Sequence, residues 1–326
     1  IMTKRQREDQ VPETSAPSST VRIAVGTYEH VLHGFDAVIS MQKDKLTCVF
    51  NRVWLFEAHT AQVRSLAVGG RYLASGGVDE IVKLYDLRKR KDLGSLLSHD
   101  GTVTTIQFAP CAAGEQPQHM LTADENNKLI IWRVRDWTPQ IQLATRHGKV
   151  NSLSIHPSGK IALSVGADCN VRLWNLVTGK KAAAHSLIIK PAPGTPKPLR
   201  RESAEGLQVA WNTQGDAYAI LFEKSIKLYD MSAALQHTFS AGTSKFHAMR
   251  YMTLPDGQEL LAASLDSGVI QMLDPVKQEL DSELTGHAAR VKCLDVQTVT
   301  PQGATDSLLL LCSGSTDGHI KIWTQG

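Results

Sequence analysis

Nothing in this chain could cross a membrane as a helix: its longest apolar runs, such as Leu308 to Cys312, fall far short of the roughly 20 residues that a span requires. Its five cysteines (Cys48, Cys111, Cys169, Cys293, Cys312) are an odd number, widely spaced and without a C-x-x-C pair. That argues against a disulfide framework or a zinc module and for a reducing cytosolic or nuclear compartment. The polar opening Thr3–Gln10 lacks a signal-peptide core, so secretion is not expected. Net charge is only +3, from 35 Lys and Arg against 32 Asp and Glu. Any electrostatic argument must therefore rest on where the charges lie. Phosphate-binding G-x-x-x-x-G-K-[ST] and G-x-G-x-x-G motifs are missing, as is H-E-x-x-H, and His119 and His237 have no ligand-like neighbours. No cofactor and no metal site is expected.

What the chain does have is a repeat. With 42% hydrophobic and 21% charged residues it is of ordinary globular composition, and 326 residues suit one repetitive β domain. A bulky residue followed by a polar one recurs seven times: Phe35-Asp36, Tyr85-Asp86, Trp132-Arg133, Trp174-Asn175, Tyr229-Asp230, Leu273-Asp274 and Trp323-Thr324. Each closes a short alternating run such as Ile320-Lys321-Ile322-Trp323, the pattern of a half-buried strand. Spacings of 42 to 55 residues match a four-stranded blade that cannot bury both faces alone and must stack in a ring. The chain resembles the WD-repeat family, which implies an all-β, seven-bladed β-propeller.

The resemblance implies a buried polar set in each blade, linking a histidine, a serine or threonine, an aspartate and the closing aromatic. Counting ten and six residues back from that aromatic gives His59, Ser75, Asp79 and Tyr85, then His147, Ser164, Asp168 and Trp174, and finally His287, Ser313, Asp317 and Trp323. A further repeat has Asn126 at the acidic position, with His99, Thr122 and Trp132, and the Tyr229 repeat has Ala219 and Glu223 with no histidine. His147, Asp168 and Ser164 are the residue types of a hydrolase triad. The same set recurs in several blades, however, and no nucleophile elbow accompanies it, so the sets are read as structural and no catalytic residue is assigned.

Strand order places loops on faces. Each blade runs a, b, c, d outward from the channel, so the d–a and b–c loops share a top face and the a–b and c–d loops a bottom face. Val21–Thr27 and Val31–Asp36 read as strands b and c of blade 1, and Leu46–Phe56 contains its d strand. Blades 2 to 6 read as complete, while blade 7 has a, b and c, so the strands that close the ring are expected beyond Gly326. Residues 1–20 are polar, carry Pro12 and Pro17, and are expected to form a disordered tail in which Lys4-Arg5-Gln6-Arg7 is a candidate nuclear-targeting patch. The propeller is expected over residues 21–326. Between blades 4 and 5, Ser186–Glu205 is a proline-rich insertion with Lys190, Lys197, Arg200 and Arg201, expected on the top face as an extended arm or a tolerated loop.

Charge is concentrated in the c–d turns of three consecutive blades: Arg88, Lys89, Arg90 and Lys91, then Arg133 and Arg135, then Lys180 and Lys181. Corresponding turns of blades 5 and 6 offer only Lys277. A basic arc on the bottom face is expected, suited to phosphate or an acidic protein, although exposed turns are often charged for solubility alone.

Three segments resemble a narrower family, the PAK-kinase-interacting WD-repeat proteins: Ala24 to Phe35, Asp79 to Asp86, and Leu153 to Gly166 with Trp174-Asn175-Leu176-Val177. The resemblance extends over Val21 to Trp323, and the 186–205 insertion departs from the animal pattern and points to a fungal-type member. This family includes fungal nucleolar factors for assembly of the large ribosomal subunit. The resemblance therefore implies a non-enzymatic nucleolar scaffold for 60S precursors and ribosomal RNA processing. Its partners would be other assembly factors, ribosomal or ribosomal-like proteins and ribosomal RNA phosphate. The alternative it implies is a signalling adaptor that binds and restrains a PAK-type kinase.

Overall fold

The computed structural model describes residues 20–42, 45–112, 114–146, 148–188, 205–300 and 307–324, and these form seven antiparallel sheets with no helix among the described residues. Residues 1–19 of the expected tail and residues 189–204 of the insertion lie outside them.

Blade 1 is a three-stranded sheet of β1 (Thr20–Gly26), β2 (Val31–Gln42) and β3 (Lys45–Glu57). Blade 2 has β4 (Val63–Gly69), β5 (Tyr72–Gly77), β6 (Val82–Asp86) and β7 (Lys91–Leu96). Blade 3 has β8 (Val103–Phe108), β9 (His119–Asp124), β10 (Lys128–Arg133) and β11 (Thr138–Ala144). Blade 4 has β12 (Val150–Ile155), β13 (Ile161–Gly166), β14 (Asn170–Asn175) and β15 (Lys180–Ser186). Blade 5 has β16 (Gln208–Trp211), β17 (Ala217–Leu221), β18 (Ser225–Asp230) and β19 (Leu235–Ser240). Blade 6 has β20 (Phe246–Thr253), β21 (Glu259–Leu265), β22 (Ile270–Asp274) and β23 (Glu279–Leu284). Blade 7 has three strands, β24 (Val291–Val299), β25 (Leu308–Ser315) and β26 (Ile320–Thr324).

Burial explains why the repeat reads as it does. The b strands β5, β9 and β13 are buried at every residue after the first, because each of their faces packs on a neighbouring blade. The d strands β7 and β15 are exposed almost throughout, so their sequences are polar and variable. One apolar cluster fills each of the seven blade interfaces. Ala74, Leu84, Ile106 and Trp132 join blades 2 and 3, for example, and Leu121, Ile131, Leu153 and Trp174 join blades 3 and 4.

Blade 1 corrects the expectation that each bulky-polar pair ends a strand. β2 passes through Phe35-Asp36 with a register shift between Gly34 and Phe35, and continues six residues beyond Asp36 to Gln42. Asp36 does not cap a turn; it accepts Arg22 Nε at 2.7 Å and Arg22 Nη2 at 2.8 Å. The lengthened β2 carries Ile39 against Val299 and Leu310 of blade 7, with Val21, Leu308 and Ile322 around them. This is the seam where, among the described residues, each flanking blade has three strands, and its cluster contains three buried residues against eleven between blades 5 and 6.

Candidate functional site

The polar sets form as hydrogen-bonded chains. His59 Nδ1 lies 2.9 Å from Asp79 Oδ1, and His59 Nε2 lies 2.7 Å from Ser75 Oγ. In blade 7, His287 stands 3.0 Å from Asp317 and 2.8 Å from Ser313, whose Oγ accepts Trp323 Nε1–H at 2.8 Å. One proton arrangement satisfies every member: Trp N–H to Ser Oγ, Ser O–H to His Nε2, and His Nδ1–H to the carboxylate, with a neutral imidazole. Burial pulls the His59 pKa below its ordinary value and outweighs the opposing hydrogen bond from Asp79. Tyr85 faces Ser75 where other blades have tryptophan, and its buried hydroxyl has no hydrogen-bond partner of normal geometry. Burial pushes that phenol up to about 12.

Blade 3 corrects the sequence assignment. The acid that meets His99 is Asp124, at 2.8 Å, while Thr122 Oγ1 takes the other ring nitrogen at 2.7 Å and Trp132 Nε1–H at 2.8 Å. Asn126 instead donates to the Asp100 carbonyl. The reason is register. Asp124 pairs with Val103 as Gly77 pairs with Val63, so Asp124 occupies the position that glycine fills in blade 2. A Cβ at Gly77 would lie 2.3 Å from Asp79 Oδ1 and 2.7 Å from His59 Nδ1. Blade 2 therefore reaches the histidine from the turn over a glycine, and blade 3 reaches it from the strand itself. Burial works to raise the Asp124 pKa, but hydrogen bonds from His99 and from the Lys128 and Asn126 backbone hold it below the ordinary value. In blade 4, Trp174 Nε1–H reaches Ser164 Oγ at 2.8 Å and Asp168 pairs with Arg172 at 2.6 Å, while His147 lies outside the described residues. Ser75, Ser164 and Ser313 are 0% exposed, and their hydrogen bonds tie neighbouring strands together.

The c–d turns owe their shape to the residue after the closing aromatic. Asp86 Oδ1 accepts the backbone N–H of Arg88 at 3.0 Å and of Lys89 at 2.8 Å. Asn175 does the same for Val177 and Thr178, and Asp274 for Val276 and Lys277. A residue with positive φ completes each reversal, Arg90 (50°), Trp137 (56°), Gly179 (64°), Ala233 (63°) and Gln278 (61°). Such a turn is fixed by its cap, so its remaining side chains are free to vary. Arg88, Lys89, Arg90, Lys91, Arg133, Arg135, Lys180 and Lys181 are all exposed, but only Arg88, Lys89, Arg90 and Arg135 lie in the turns themselves; Lys91, Arg133, Lys180 and Lys181 are end residues of β7, β10 and β15. Arg133 is paired with Asp136 at 2.9 Å. Of the insertion, Lys190, Lys197, Arg200 and Arg201 lie outside the described residues.

A second charged region escaped the sequence reading. Strands β4, β8, β12, β20 and β24 all carry a register shift after their first residue, and the residue skipped is Arg64, Thr104, Asn151, His247 and Lys292 respectively. A bulge of this kind re-aims a side chain. Here it sets five side chains around the top of the ring, where Lys149 pairs with Glu125 at 2.8 Å, His247 with Asp266 at 2.9 Å and Arg290 with Asp266 at 3.7 Å. Burial and the adjacent Arg290 lower the Lys292 pKa. The repeated Val63-Arg64-Ser65, Val103-Thr104-Thr105 and Val150-Asn151-Ser152 was the signal.

Residues 50–86, 139–175 and 278–324 match the family model of the WD domain, G-beta repeat. Each match starts in a d strand and ends in the c strand of the next blade, so each repeat ties two neighbouring blades together. Protein MAK11 of Saccharomyces cerevisiae is 32% identical over 337 residues, covering 93% of this chain and 77% of that protein. The p21-activated protein kinase-interacting protein 1-like protein of Xenopus laevis is 30% identical over 304 residues, 93% of this chain and 74% of its own. This chain belongs to their WD-repeat family. Shk1 kinase-binding protein 15 of Schizosaccharomyces pombe, 29% identical over 308 residues, covers 94% of this chain with 78% of its own length. Within the family, the blade 3 arrangement of His99 with Asp124 shows how one propeller accommodates two placements of the acid.

Proposed function

We propose that this protein is a non-enzymatic scaffold for assembly of the large ribosomal subunit in the nucleolus, docking through the basic turns of blades 2, 3 and 4. The observation that carries the reading is positional: Lys89, Arg90, Lys91, Arg135, Lys180 and Lys181 are exposed cations at the c–d turns and adjoining strand ends of three consecutive blades, in a chain whose net charge is only +3. Turn backbones capped by Asp86 and Asn175 need no lysine or arginine for folding, so the charge is available to RNA phosphates or an acidic protein surface. The family resemblance supplies the destination, and ribosomal proteins, other assembly factors and precursor ribosomal RNA are the partners it brings.

A second reading, an adaptor that binds a PAK-type kinase, is favoured by the names of two relatives, a p21-activated protein kinase-interacting protein and a Shk1 kinase-binding protein. Purification of the tagged protein with identification of co-purifying proteins and RNA separates the two. Precursor ribosomal RNA and large-subunit proteins are expected. A kinase recovered without RNA would replace the first reading by the second. In the same assay, Lys89→Glu, Arg135→Glu, Lys180→Glu and Lys181→Glu together should release the precursor while leaving the fold intact.

A further inference from the structure

The bottom face has two charge regimes. Opposite the basic turns, a groove of about 680 Å³ opens between blades 5 and 6, among the a–b loops of both and the c–d turn of blade 6. Asp216 and Glu259 line it, and they gather on one amide: Asn212 Nδ2 lies 2.6 Å from Asp216 Oδ1 and 3.4 Å from Glu259 Oε2. Elsewhere carboxylates find cations, Asp36 with Arg22 at 2.7 Å, Asp168 with Arg172 at 2.6 Å, Glu125 with Lys149 at 2.8 Å. Neither Asp216 nor Glu259 has a cationic partner among the described residues. Asp274, also in the lining, is buried and saturated by the Val276 and Lys277 backbone, by Gln258 at 2.7 Å and by Lys277 Nζ at 3.4 Å, the cation of the lining.

Two further observations point to what the carboxylates face. Tyr251, a largely buried side chain of β20 in the groove wall, makes no hydrogen bond through its phenol with the described residues. Burial raises its pKa above the ordinary value, and Glu259 and Asp216 beside it add to the rise. The phenol is thus a neutral donor without an acceptor, next to two anions without a cation. The walls are apolar: Leu228 lies at the side, and Val276 stands 81% exposed at the tip of a capped turn. The floor is held before any partner arrives, because Thr213 of the blade 5 loop bonds Glu259 of blade 6 through its backbone N–H at 2.7 Å and its hydroxyl meets Thr253 at 3.0 Å.

We infer that this groove docks an extended basic segment of a partner protein, an arginine or lysine entering between Asp216 and Glu259 while its aliphatic stem and a neighbouring apolar residue pack on Leu228 and Val276. A backbone carbonyl of the segment accepts from the Tyr251 phenol. The size falls within the range of ordinary binding pockets. A guanidinium offers several donors in a planar fork and keeps an apolar stem, the combination these walls and carboxylates ask for. A bare metal ion would leave the apolar lining and the phenol unused, and an acidic segment or nucleic acid would meet Asp216 and Glu259, since Lys277, the cation of the lining, is engaged by Asp274. This goes beyond the scaffold reading and does not depend on it, since the groove lies on other blades than the basic turns.

The test is a fluorescence-anisotropy titration of the whole protein with a short labelled peptide of alternating arginine and leucine, beside a control of alternating glutamate and leucine. The parent should bind the basic peptide and lose affinity as salt rises. Asp216→Asn with Glu259→Gln keeps an oxygen for the 2.6 Å bond from Asn212 and another for the 2.7 Å bond from Thr213, giving up only the 3.4 Å contact of Asn212 with Glu259 Oε2, so the fold should survive, and affinity should fall at least about tenfold, equivalent to about 1.4 kcal/mol. Asp216→Lys with Glu259→Lys should reverse the preference towards the acidic peptide. Val276→Glu, on an exposed turn, provides a variant that leaves both carboxylates in place and should change binding through the apolar wall. Equal binding by the parent and the Asn/Gln variant overturns the inference, as does the absence of binding by the parent at about 1 mM peptide, a limit corresponding to about −4 kcal/mol.

Discussion

His99 Nδ1 lies 2.8 Å from Asp124 Oδ2, and both side chains are wholly withdrawn from solvent. The same carboxylate accepts the backbone N–H of Asn126 and of Lys128, each at 2.9 Å. One residue thus fixes the b–c turn of blade 3 and anchors the histidine chain that runs through Thr122 to Trp132. Replacing Asp124 by alanine should cost about 2–4 kcal/mol, because a buried imidazole and two backbone donors lose their acceptor. Asn126→Ala, which removes one partly exposed bond to a carbonyl, should cost about 1 kcal/mol or less. Denaturant unfolding of the two variants beside the parent measures the difference, and the reverse order would reassign the acid.

Blade 2 predicts a pH dependence. Burial holds the folded His59 pKa below 6.5, so the unfolded chain takes up a proton where the folded chain does not. Stability from this site is complete above pH 6.5 and falls as pH drops from there to the folded pKa. Asp124 acts in a lower window: its folded pKa lies below 3.8, and its contribution is lost as pH falls below that value and through the folded pKa. Thermal midpoints should decline from pH 7 to pH 5 and again near pH 3.8 and below. His59→Gln should lower the midpoint at pH 7 and flatten the first decline.

Tyr85 and Trp174 should respond differently to loss of their polar atoms. Trp174→Phe removes the N–H that Ser164 accepts at 2.8 Å and leaves a smaller ring, for a cost of about 1–3 kcal/mol. Tyr85→Phe removes a buried hydroxyl without a well-made bond and should change stability by less than about 1 kcal/mol in either direction. Equal large losses would show that the Tyr85 hydroxyl is bonded after all.

At the seam between blades 7 and 1, Ile39 is 1% exposed and packs on Val299 and Leu310. Ile39→Ala should destabilise by about 2–4 kcal/mol. With two other buried residues in this cluster among the described residues, its loss should loosen these two blades first, so hydrogen exchange should rise in β1, β2 and β24 to β26 before β12 to β15. Uniform loss of protection around the ring would count against a weak seam.

The sequence by itself determined the blade count, the strand order and the polar spacings of blades 2 and 7, because those are local quantities: short alternating strands, turns capped by the residue that follows the aromatic, and a histidine, a serine and an aspartate within one repeat. It also placed the basic turns, since a turn keeps its face once strand order is known. The structure alone decided that Asp124 replaces Asn126, because the choice depends on which residue of β9 stands opposite Val103 and on whether the position of Gly77 is left without a Cβ. The continuation of β2 through Asp36 was settled in the same way, by Ile39 finding a buried place on blade 7, a contact between strands more than 250 residues apart. Asp216 and Glu259 meet at Asn212 only because the a–b loop of blade 5 lies against β21, and their shared groove has no sequence pattern of its own. Register within blade 3 is the physical reason for the first, and packing between blades for the other two, since it joins residues whose separation along the chain carries no period.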